Sequence, residues 1–157
     1  MNALKVTDVM THLVVTLRPE DPLKQAAQRL LSNRISGAPV VDGGKLVGVV
    51  SEADLLRAYA PGARRRPPFG ATAPLMFVLG GEQLRDVHNV TVGDVMTHDV
   101  VSISPETSVG EAASLVDRHG IRRLPVVEEE GFVVGIVTRS DLVRAMAHSA
   151  EDVAPAV

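Results

Sequence analysis

Two stretches of the chain carry the same alternation of apolar and polar positions. Short β-rich runs at residues 14–17 and 100–103 are closed by PED and PET, where a proline before an acid ends a strand and prepares a helix start. Apolar residues at helical spacing follow in both copies: Leu23, Ala26, Ala27, Leu30 and Leu31, then Val109, Ala112, Ala113, Leu115 and Val116. Each stripe predicts an amphipathic helix that faces a sheet.

A predicted hairpin and a second helix come next in each copy. APVVD, a turn at Gly43 and Gly44, and KLVGVV are typical of a β-hairpin, and LPVVEEEGFVVGIV repeats it with a longer loop. Both hairpins run into a final helix, DLLRAYA or DLVRAMA. The predicted order in each copy is strand, helix, strand, strand, helix.

The two stretches are an internal repeat. The copies align from Asp8 and from Asp94, and a single inserted residue in the hairpin turn is enough to keep them in register. Because such self-similarity decides the architecture, the sequence predicts an α/β (α+β) protein made of two small units. The predicted division is residues 1–60 and 91–148 for the units, 61–90 for a linker with a short helix, and 149–157 for a C-terminal tail.

The segment between the copies differs in kind. PGARRRPP contains turn formers and Arg64, Arg65 and Arg66, which predicts an exposed linker, with a nucleic-acid contact as the alternative. The following APLMFVLGGEQLRDVH predicts a helix that covers an exposed face, since its apolar run is too short to cross a bilayer.

Composition narrows the class of protein. The 157 residues include no cysteine, which excludes disulfides, thiolate metal sites and cysteine nucleophiles. No leader pattern is present and no apolar run approaches about 18 residues, so we expect a cytoplasmic protein. A net charge of −3 and the lack of tryptophan argue against a general nucleic-acid binder.

The junction GIVTRSDLVRA and its twin GVVSEADLLRA hold the candidate chemistry. Thr138 with Asp141, and Ser51 with Asp54, have the spacing of a capping box, in which both side chains satisfy free backbone N–H groups at a helix start. A carboxylate beside a hydroxyl can also accept hydrogen bonds from the two adjacent hydroxyls of a ribose. The two interpretations are compatible.

The ordered motifs resemble a known family. DVMT, then ISGAPVVD or IRRLPVVE, then GVVSEADL or GIVTRSDL, occur twice in that order. This set resembles tandem cystathionine-β-synthase (CBS) domains, the pair called a Bateman module. The resemblance implies two β-α-β-β-α units packed sheet to sheet with pseudo-twofold symmetry, and clefts that bind adenine nucleotides or other adenosyl compounds.

The resemblance also implies how the clefts are composed, each taking its [ST]-x-x-D motif from one copy and its remaining segments from the other. The first cleft joins Thr138 and Asp141 to an adenine slot of Met10, Val15, Ile35 and Ser36. The second joins Ser51 and Asp54 to Met96, Val101, Ile121 and Arg122. For phosphate groups the candidates are Arg122, Arg123 and Arg139, at places where the first copy has Ser36, Gly37 and Glu52. We therefore expect the Thr138 cleft to prefer a charged nucleotide.

No catalytic constellation is present in the sequence, and His12 and His98 are expected on surface loops rather than at a metal. We expect no enzyme and no obligatory cofactor. The favoured function is a regulatory module for energy sensing that binds AMP, ADP or ATP, S-adenosylmethionine or NAD, and signals to an unknown protein partner. Family resemblance favours a homodimer, a disc of four CBS domains. The alternatives are a ligand-free dimerisation module and a nucleic-acid binder that uses Arg64 to Arg66.

Overall fold

The computed structural model describes residues 4–60 and 89–153, with the side chains of the last five described positions excluded. In the first copy, helix α1 (Leu23–Ser32) is followed by strands β1 (Gly37–Asp42) and β2 (Lys45–Ser51) and by helix α2 (Glu52–Tyr59). A short helix α3 (Val92–Val95) opens the second copy. It continues with α4 (Val109–His119), β3 (Arg123–Val127), β4 (Val133–Thr138) and α5 (Arg139–Val153). A 3-10 turn at Val6–Asp8 matches α3 in position.

The predicted mixed α/β fold is confirmed, with a small two-stranded sheet in each copy. The turn at Gly43 and Gly44 joins β1 to β2, and both glycines have positive φ, which the tight turn of a two-residue hairpin requires. Strands β3 and β4 pair antiparallel, with a register shift between Val126 and Val127. The predicted hairpins and final helices are therefore present in both copies.

Of the expected first strands at residues 14–17 and 100–103, only one residue each forms a β-bridge. Leu17 bridges Val40 and Ile103 bridges Val126, both in parallel orientation, and no longer run of pairing forms at 14–17 or 100–103. Leu17 donates its N–H to the carbonyl of Pro39 and accepts from Val41, so one residue makes both bonds. The prediction of short strands was wrong in extent, because β propensity sets no limit on how many residues find a partner.

The compact units do not follow the repeat boundaries. One unit consists of residues 4–14, 43–46 and 101–153 among those described, and the other of residues 15–42, 47–60 and 89–100. The opening segment of each copy is thus incorporated in the unit of the other copy. Thr11 exchanges two backbone hydrogen bonds with Ile136, and Thr97 exchanges two with Val49, at 2.9 to 3.0 Å.

Each unit has its own apolar core of aliphatic side chains. Val6, Leu124, Val126 and Val137 are fully buried in the first, together with Met10 and Leu142. Leu17, Val40, Val50 and Val92 are fully buried in the second, together with Leu30 and Val95. Helix α1 buries Leu23, Ala26 and Leu30, but Leu31 is 72% exposed. The predicted stripe on α1 therefore ends one residue earlier than the sequence pattern indicates.

The β1–β2 turn also belongs to the unit of the second copy. Leu46 donates its N–H to the carbonyl of Gly131, and Val133 donates to Gly44, at 3.0 and 3.2 Å. The Lys45 ammonium lies 5.5 Å from the centre of the Phe132 ring, within cation–π range. Within the described residues, no helix is both long and apolar enough to cross a membrane. The predicted helix at 73–88 and Arg64 to Arg66 lie outside the described residues.

Candidate functional site

The helix start of the second copy is a capping box around a buried acid. Thr138 donates its backbone N–H to Oδ2 of Asp141 at 2.9 Å, and Asp141 donates its N–H to Oγ1 of Thr138 at 3.2 Å. Arg144, one turn along α5, donates to Oδ1 of Asp141 at 2.5 Å. The acid is only 7% exposed and is held in one orientation by these bonds.

The first copy repeats this frame at Ser51 and Asp54. Ser51 donates its N–H to Oδ2 of Asp54 at 2.8 Å, and Arg57 donates to Oδ1 at 2.5 Å. One bond is added, because the Ser51 hydroxyl also lies 3.1 Å from the same Oδ2. Asp54 is 5% exposed. The helix-start interpretation is thus correct for both motifs.

The two acids differ in remaining acceptor capacity. An ionised carboxylate has about four acceptor positions. The bonds among described residues occupy two of them in Asp141, from Thr138 and Arg144, and three in Asp54, two from Ser51 and one from Arg57. Asp141 could accept both hydroxyls of a ribose, whereas Asp54 could do so only after the Ser51 hydroxyl turns away.

Charge differs between the sites as well. Arg139 follows Thr138 and donates its N–H to the carbonyl of Arg122 at 2.9 Å, and Arg123 pairs with Thr138 across the strands β3 and β4. The backbones of three arginines therefore lie next to the second-copy motif. In the first copy, Glu52 donates its N–H to the carbonyl of Ser36 at 2.8 Å, so the same backbone bond joins an acid and a serine.

A methionine from the opposite copy lies against each motif. A Cβ built on Gly135 would overlap the side chain of Met10, and one built on Gly48 would lie 2.6 Å from Sδ of Met96. Glycine therefore permits the close approach of the DVM segment to the strand that leads into the helix start. Met10 therefore lies beside the strand that leads to Thr138, and Met96 beside the strand that leads to Ser51.

The other expected members of the adenine slots are divided between the two units. Val15, Ile35 and Ser36 lie in the unit of Ser51, while Val101, Ile121 and Arg122 lie in the unit of Thr138. The chain passes from one unit to the other between Val14 and Val15, after the Thr11 bridge and before the Leu17 bridge. Which of these residues line one cleft stays a prediction. Ile35 packs against one core and Ile121 against the other.

Two residues that hold the acids were missed in the sequence. Arg57 and Arg144 follow their aspartates at i+3, on the same side of the helix, and both form ion pairs. The signal was present as D-x-x-R in both copies, a spacing at which opposite charges meet on a helix. Their guanidinium groups restrict the orientation of both carboxylates.

No group of three or more His, Cys, Asp or Glu side chains that could hold a metal is found among the described residues. His12 and His98 are exposed, at equivalent places in the two copies. Every buried polar side-chain atom in residues 4–60 and 89–148 has a hydrogen-bond partner.

Comparison with known proteins assigns the family. The CBS domain family model matches residues 6–61 and 92–148. An uncharacterized protein of Methanocaldococcus jannaschii is 34% identical over 152 residues, which cover 90% of both chains. The crystal structure of CBSX2 of Arabidopsis thaliana in complex with AMP is 31% identical, with a TM-score of 0.72, and the match covers 93% of this chain and 98% of that one.

The chain belongs to the CBS domain family and contains two copies of the domain. A further relative, the inosine-5'-monophosphate dehydrogenase of Korarchaeum cryptofilum, is 32% identical over 86% of this chain, but the match spans 23% of the length of that enzyme. The similarity to this enzyme is therefore confined to a minor part of its chain.

Proposed function

We propose that the chain is a regulatory module that binds an adenosyl ligand of the AMP class at its helix-start motifs, with preference for the motif of Thr138 and Asp141. The observation that carries the proposal is the buried Asp141 carboxylate, which retains two acceptor positions beside three arginines. The AMP complex of CBSX2 supports the choice of ligand class.

Each part of a nucleotide has a counterpart in this site. The two ribose hydroxyls donate to Asp141, and the hydroxyl of Thr138 adds a further bond. The phosphates are bound by Arg122, Arg123 and Arg139, whose N–H groups form charge-assisted bonds with anionic oxygens. Apolar contact with adenine comes from Met10, Val101 and Ile121, which pack in the core of the same unit.

The equivalent site of the first copy has the ribose-binding and adenine-binding residues but lacks the arginines proposed to bind phosphate. Ser51 and Asp54 bind the ribose, and Val15, Ile35, Ser36 and Met96 form the adenine slot. Because Glu52 stands where the second copy has an arginine, and Asp54 has one more occupied acceptor position than Asp141, we infer that this site binds more weakly and takes a ligand with fewer phosphates.

The output of binding is regulatory rather than catalytic. A ligand acts as a switch only if it binds two states of the protein with different affinity. We infer that the chain forms a homodimer and that a protein partner senses the change in that dimer. Competition between AMP and ATP for the Thr138 site would make the module a sensor of cellular energy.

The test is calorimetric titration of the nucleotide-free full chain with AMP, ATP, adenosine, S-adenosylmethionine and NAD. We expect AMP to bind and to raise the melting temperature by mass action. Asp141→Asn keeps the shape of the side chain but removes its charge, so loss of charge-assisted bonds of about 1.5–3 kcal/mol should weaken AMP binding about 10- to 100-fold.

Asp54→Asn is the matched control, because it makes the same change in the same capping frame. We expect it to leave the stronger AMP-binding event unchanged. Equal affinity of the parent and Asp141→Asn proteins, at unchanged helix content, would contradict the ribose assignment.

A second candidate, a ligand-free dimerisation module, is favoured by one observation: both acids already have partners within their capping boxes. If none of the five compounds binds while the chain remains dimeric, this candidate replaces the first.

A further inference from the structure

The bonds to Asp141 are divided evenly between the two oxygens of its carboxylate. Oδ2 accepts the backbone N–H of Thr138, and Oδ1 accepts a guanidinium N–H of Arg144. Each carboxylate oxygen has about two acceptor positions, so one position remains on each oxygen after the bonds of the described residues are made. The hydroxyl of Thr138 accepts the N–H of Asp141 and donates to no atom of the described residues. This motif can therefore receive one ligand hydroxyl on each oxygen of the acid.

The bonds to Asp54 are divided unevenly between its two oxygens. Oδ2 accepts the backbone N–H of Ser51 at 2.8 Å and the hydroxyl of the same residue at 3.1 Å, so both of its positions are occupied. Oδ1 accepts a guanidinium N–H of Arg57. One acceptor position is left by the bonds of the described residues, and it lies on Oδ1. This motif can therefore receive a single ligand hydroxyl.

Neither carboxylate can turn easily to redistribute these positions. Each acid is held at both oxygens, by a backbone N–H on one and by an arginine on the other. Bonds to an arginine are charge-assisted and stronger than neutral ones, and only 8% of the side-chain surface of each acid is exposed. The difference in remaining acceptor positions is therefore built into the two helix starts.

We propose that the Thr138 motif recognises both hydroxyls of a ribose, whereas the Ser51 motif recognises only one sugar hydroxyl. The Thr138 motif selects ribonucleosides, because the two adjacent hydroxyls of a ribose each meet one oxygen of Asp141. The Ser51 motif binds a deoxyribonucleoside as well as a ribonucleoside, provided that the hydroxyl bound by Oδ1 of Asp54 is present. This inference rests on the ribose site of the proposed function and adds the class of sugar that each copy takes.

A ribose could use both oxygens of Asp54 only by displacing the hydroxyl proton of Ser51. The oxygen of that hydroxyl is itself held, because it accepts the N–H of Asp54 at 3.3 Å. Displacement would exchange one hydrogen bond to the carboxylate for another and would remove the Ser51 proton from its charged acceptor. A second ribose hydroxyl therefore adds little affinity at this motif.

Calorimetric titration of two full-length variants with adenosine, 2'-deoxyadenosine and 3'-deoxyadenosine tests this inference. Asp54→Asn isolates the Thr138 motif, and Asp141→Asn isolates the Ser51 motif. At the Thr138 motif we expect each deoxy compound to bind about 10- to 100-fold more weakly than adenosine, because each loses a hydrogen bond to a charged group. At the Ser51 motif we expect at most one of the two deoxy compounds to bind more weakly than adenosine.

The same titrations separate failure of the inference from failure of the proposed function. Weaker binding of both deoxy compounds at the Ser51 motif, or of fewer than both at the Thr138 motif, would overturn the inference while adenosine binding still supports the proposed function. Absence of adenosine binding by the Asp141→Asn protein would overturn the assignment at the Ser51 motif. A parent chain that binds neither adenosine nor AMP would overturn both proposals.

Removal of the Ser51 hydroxyl gives a second measurement. Glycine is tolerated at a helix N-cap, so Ser51→Gly in the Asp141→Asn protein keeps the helix start and vacates the second position on Oδ2 of Asp54. We expect both deoxy compounds then to bind about tenfold more weakly than adenosine. The ratio of two affinities within one protein is measured, so a general loss of stability does not imitate the effect.

Thr138→Gly in the Asp54→Asn protein is the matched control. The Thr138 hydroxyl occupies no position of Asp141, so its removal should preserve the weaker binding of both deoxy compounds relative to adenosine. If Ser51→Gly leaves the affinity ratios of the Ser51 motif unchanged while the protein stays folded, the hydroxyl does not limit sugar recognition and the inference is wrong.

Discussion

The helix starts at Thr138 and at Ser51 share one backbone frame, yet they are surrounded by different chemistry. In both, a hydroxyl residue and a buried aspartate form a capping box, and an arginine at i+3 holds the acid. The neighbours of the frame differ: Arg122 and Arg139 in one copy correspond to Ser36 and Glu52 in the other. The comparison teaches that the frame is set by folding, since any helix start must satisfy its N–H groups. The proposed ligand preference rests instead on the residues beside the frame.

The largest expected effect comes from exchange of these neighbouring residues. Arg122→Ser with Arg139→Glu gives the second copy the residues of the first, and we expect ATP affinity at that site to fall about 10- to 100-fold, since charge-assisted bonds to phosphate are lost. Adenosine affinity should change little, because it has no phosphate. Calorimetry with both ligands measures the difference.

The reciprocal exchange, Ser36→Arg with Glu52→Arg, is the matched control, and it should strengthen ATP binding at the first-copy site. An equal loss of ATP and adenosine affinity in the Arg122→Ser, Arg139→Glu protein would show that the arginines support the fold of the site rather than bind phosphate.

The second effect concerns the glycines that accept the methionines. We expect Gly48→Ala to destabilise the protein by about 1–3 kcal/mol through overpacking, and Gly135→Ala to cost less. Beside Gly48, the new Cβ would lie 2.9 Å from the carbonyl oxygen of Thr97, which is fixed by its bonds to Val49. Beside Gly135, it meets the flexible side chain of Met10.

Chemical denaturation of the two variants under the same conditions measures this difference. If Gly135→Ala costs as much as Gly48→Ala, the Met10 side chain is as rigid as a backbone carbonyl and the distinction between the two contacts is lost.

The third effect comes from the end of the first helix in each copy. Arg34 and Gly120 occupy the same repeat position with φ of 55° and 61°, a left-handed conformation that costs a non-glycine residue about 1–2 kcal/mol. Glycine relieves this backbone strain, but its greater conformational entropy in the unfolded chain offsets part of the gain. Arg34→Gly should therefore raise the free energy of unfolding by about 0.5–1 kcal/mol. Gly120→Ala should lower it by a similar amount.

Denaturant midpoints of both variants provide the measurement, at a protein concentration that keeps the state of association constant. Destabilisation by Arg34→Gly would indicate that the arginine side chain makes contacts worth more than the backbone strain it imposes.

The smallest expected effect concerns an ion pair of the first copy's opening segment, which the opening segment of the second copy lacks. The hydrogen bond and the charge of Glu106 raise the pKa of Lys5, whose ammonium lies 2.6 Å from that carboxylate. At the equivalent repeat position the other copy has Thr91, which pairs with Pro22. A raised pKa in the folded state adds stability that is present below pH 10.5 and is lost as the pH rises through the folded value.

Glu106→Gln should return the pKa of Lys5 toward 10.5, as followed by NMR titration of the Lys5 side chain. Glu20→Gln is the control and should leave Lys5 unchanged. A Lys5 pKa that does not move in Glu106→Gln would contradict the ion pair.

The internal repeat predicts most of the helices and strands, but it does not predict how many residues of each expected first strand pair with a neighbouring strand. The hairpin turn at Gly43 and Gly44, the capping boxes and the final helices follow from local chemistry and were predicted correctly. The single-residue bridge of Leu17 and the exposure of Leu31 depend on which distant residues pack there. Neither is determined by residues within one turn or one strand.

The residues of the candidate site likewise fall into those predicted from local sequence spacing and those whose placement depends on tertiary pairing. Ser51, Asp54, Thr138 and Asp141 were found because their spacing is local. Arg57 and Arg144 were overlooked, although their spacing is equally local. The placement of Val15 and Val101 depends on where the chain crosses between units, a matter of tertiary pairing that no periodicity encodes.

The interleaving of the two copies has a consequence for synthesis of the chain. Residues 4–14 find their partners among residues 101–153, so they leave the ribosome long before the segment that buries them has been made. Such distant pairings are slow to form, because loop closure must precede them. We expect the isolated half 1–60 to lack the methionine that fills its own Gly48 contact and the isolated half 91–157 to lack Met10. Although the sequence repeat predicts two domains, each compact unit contains segments of both copies, so we expect neither half to fold without the other.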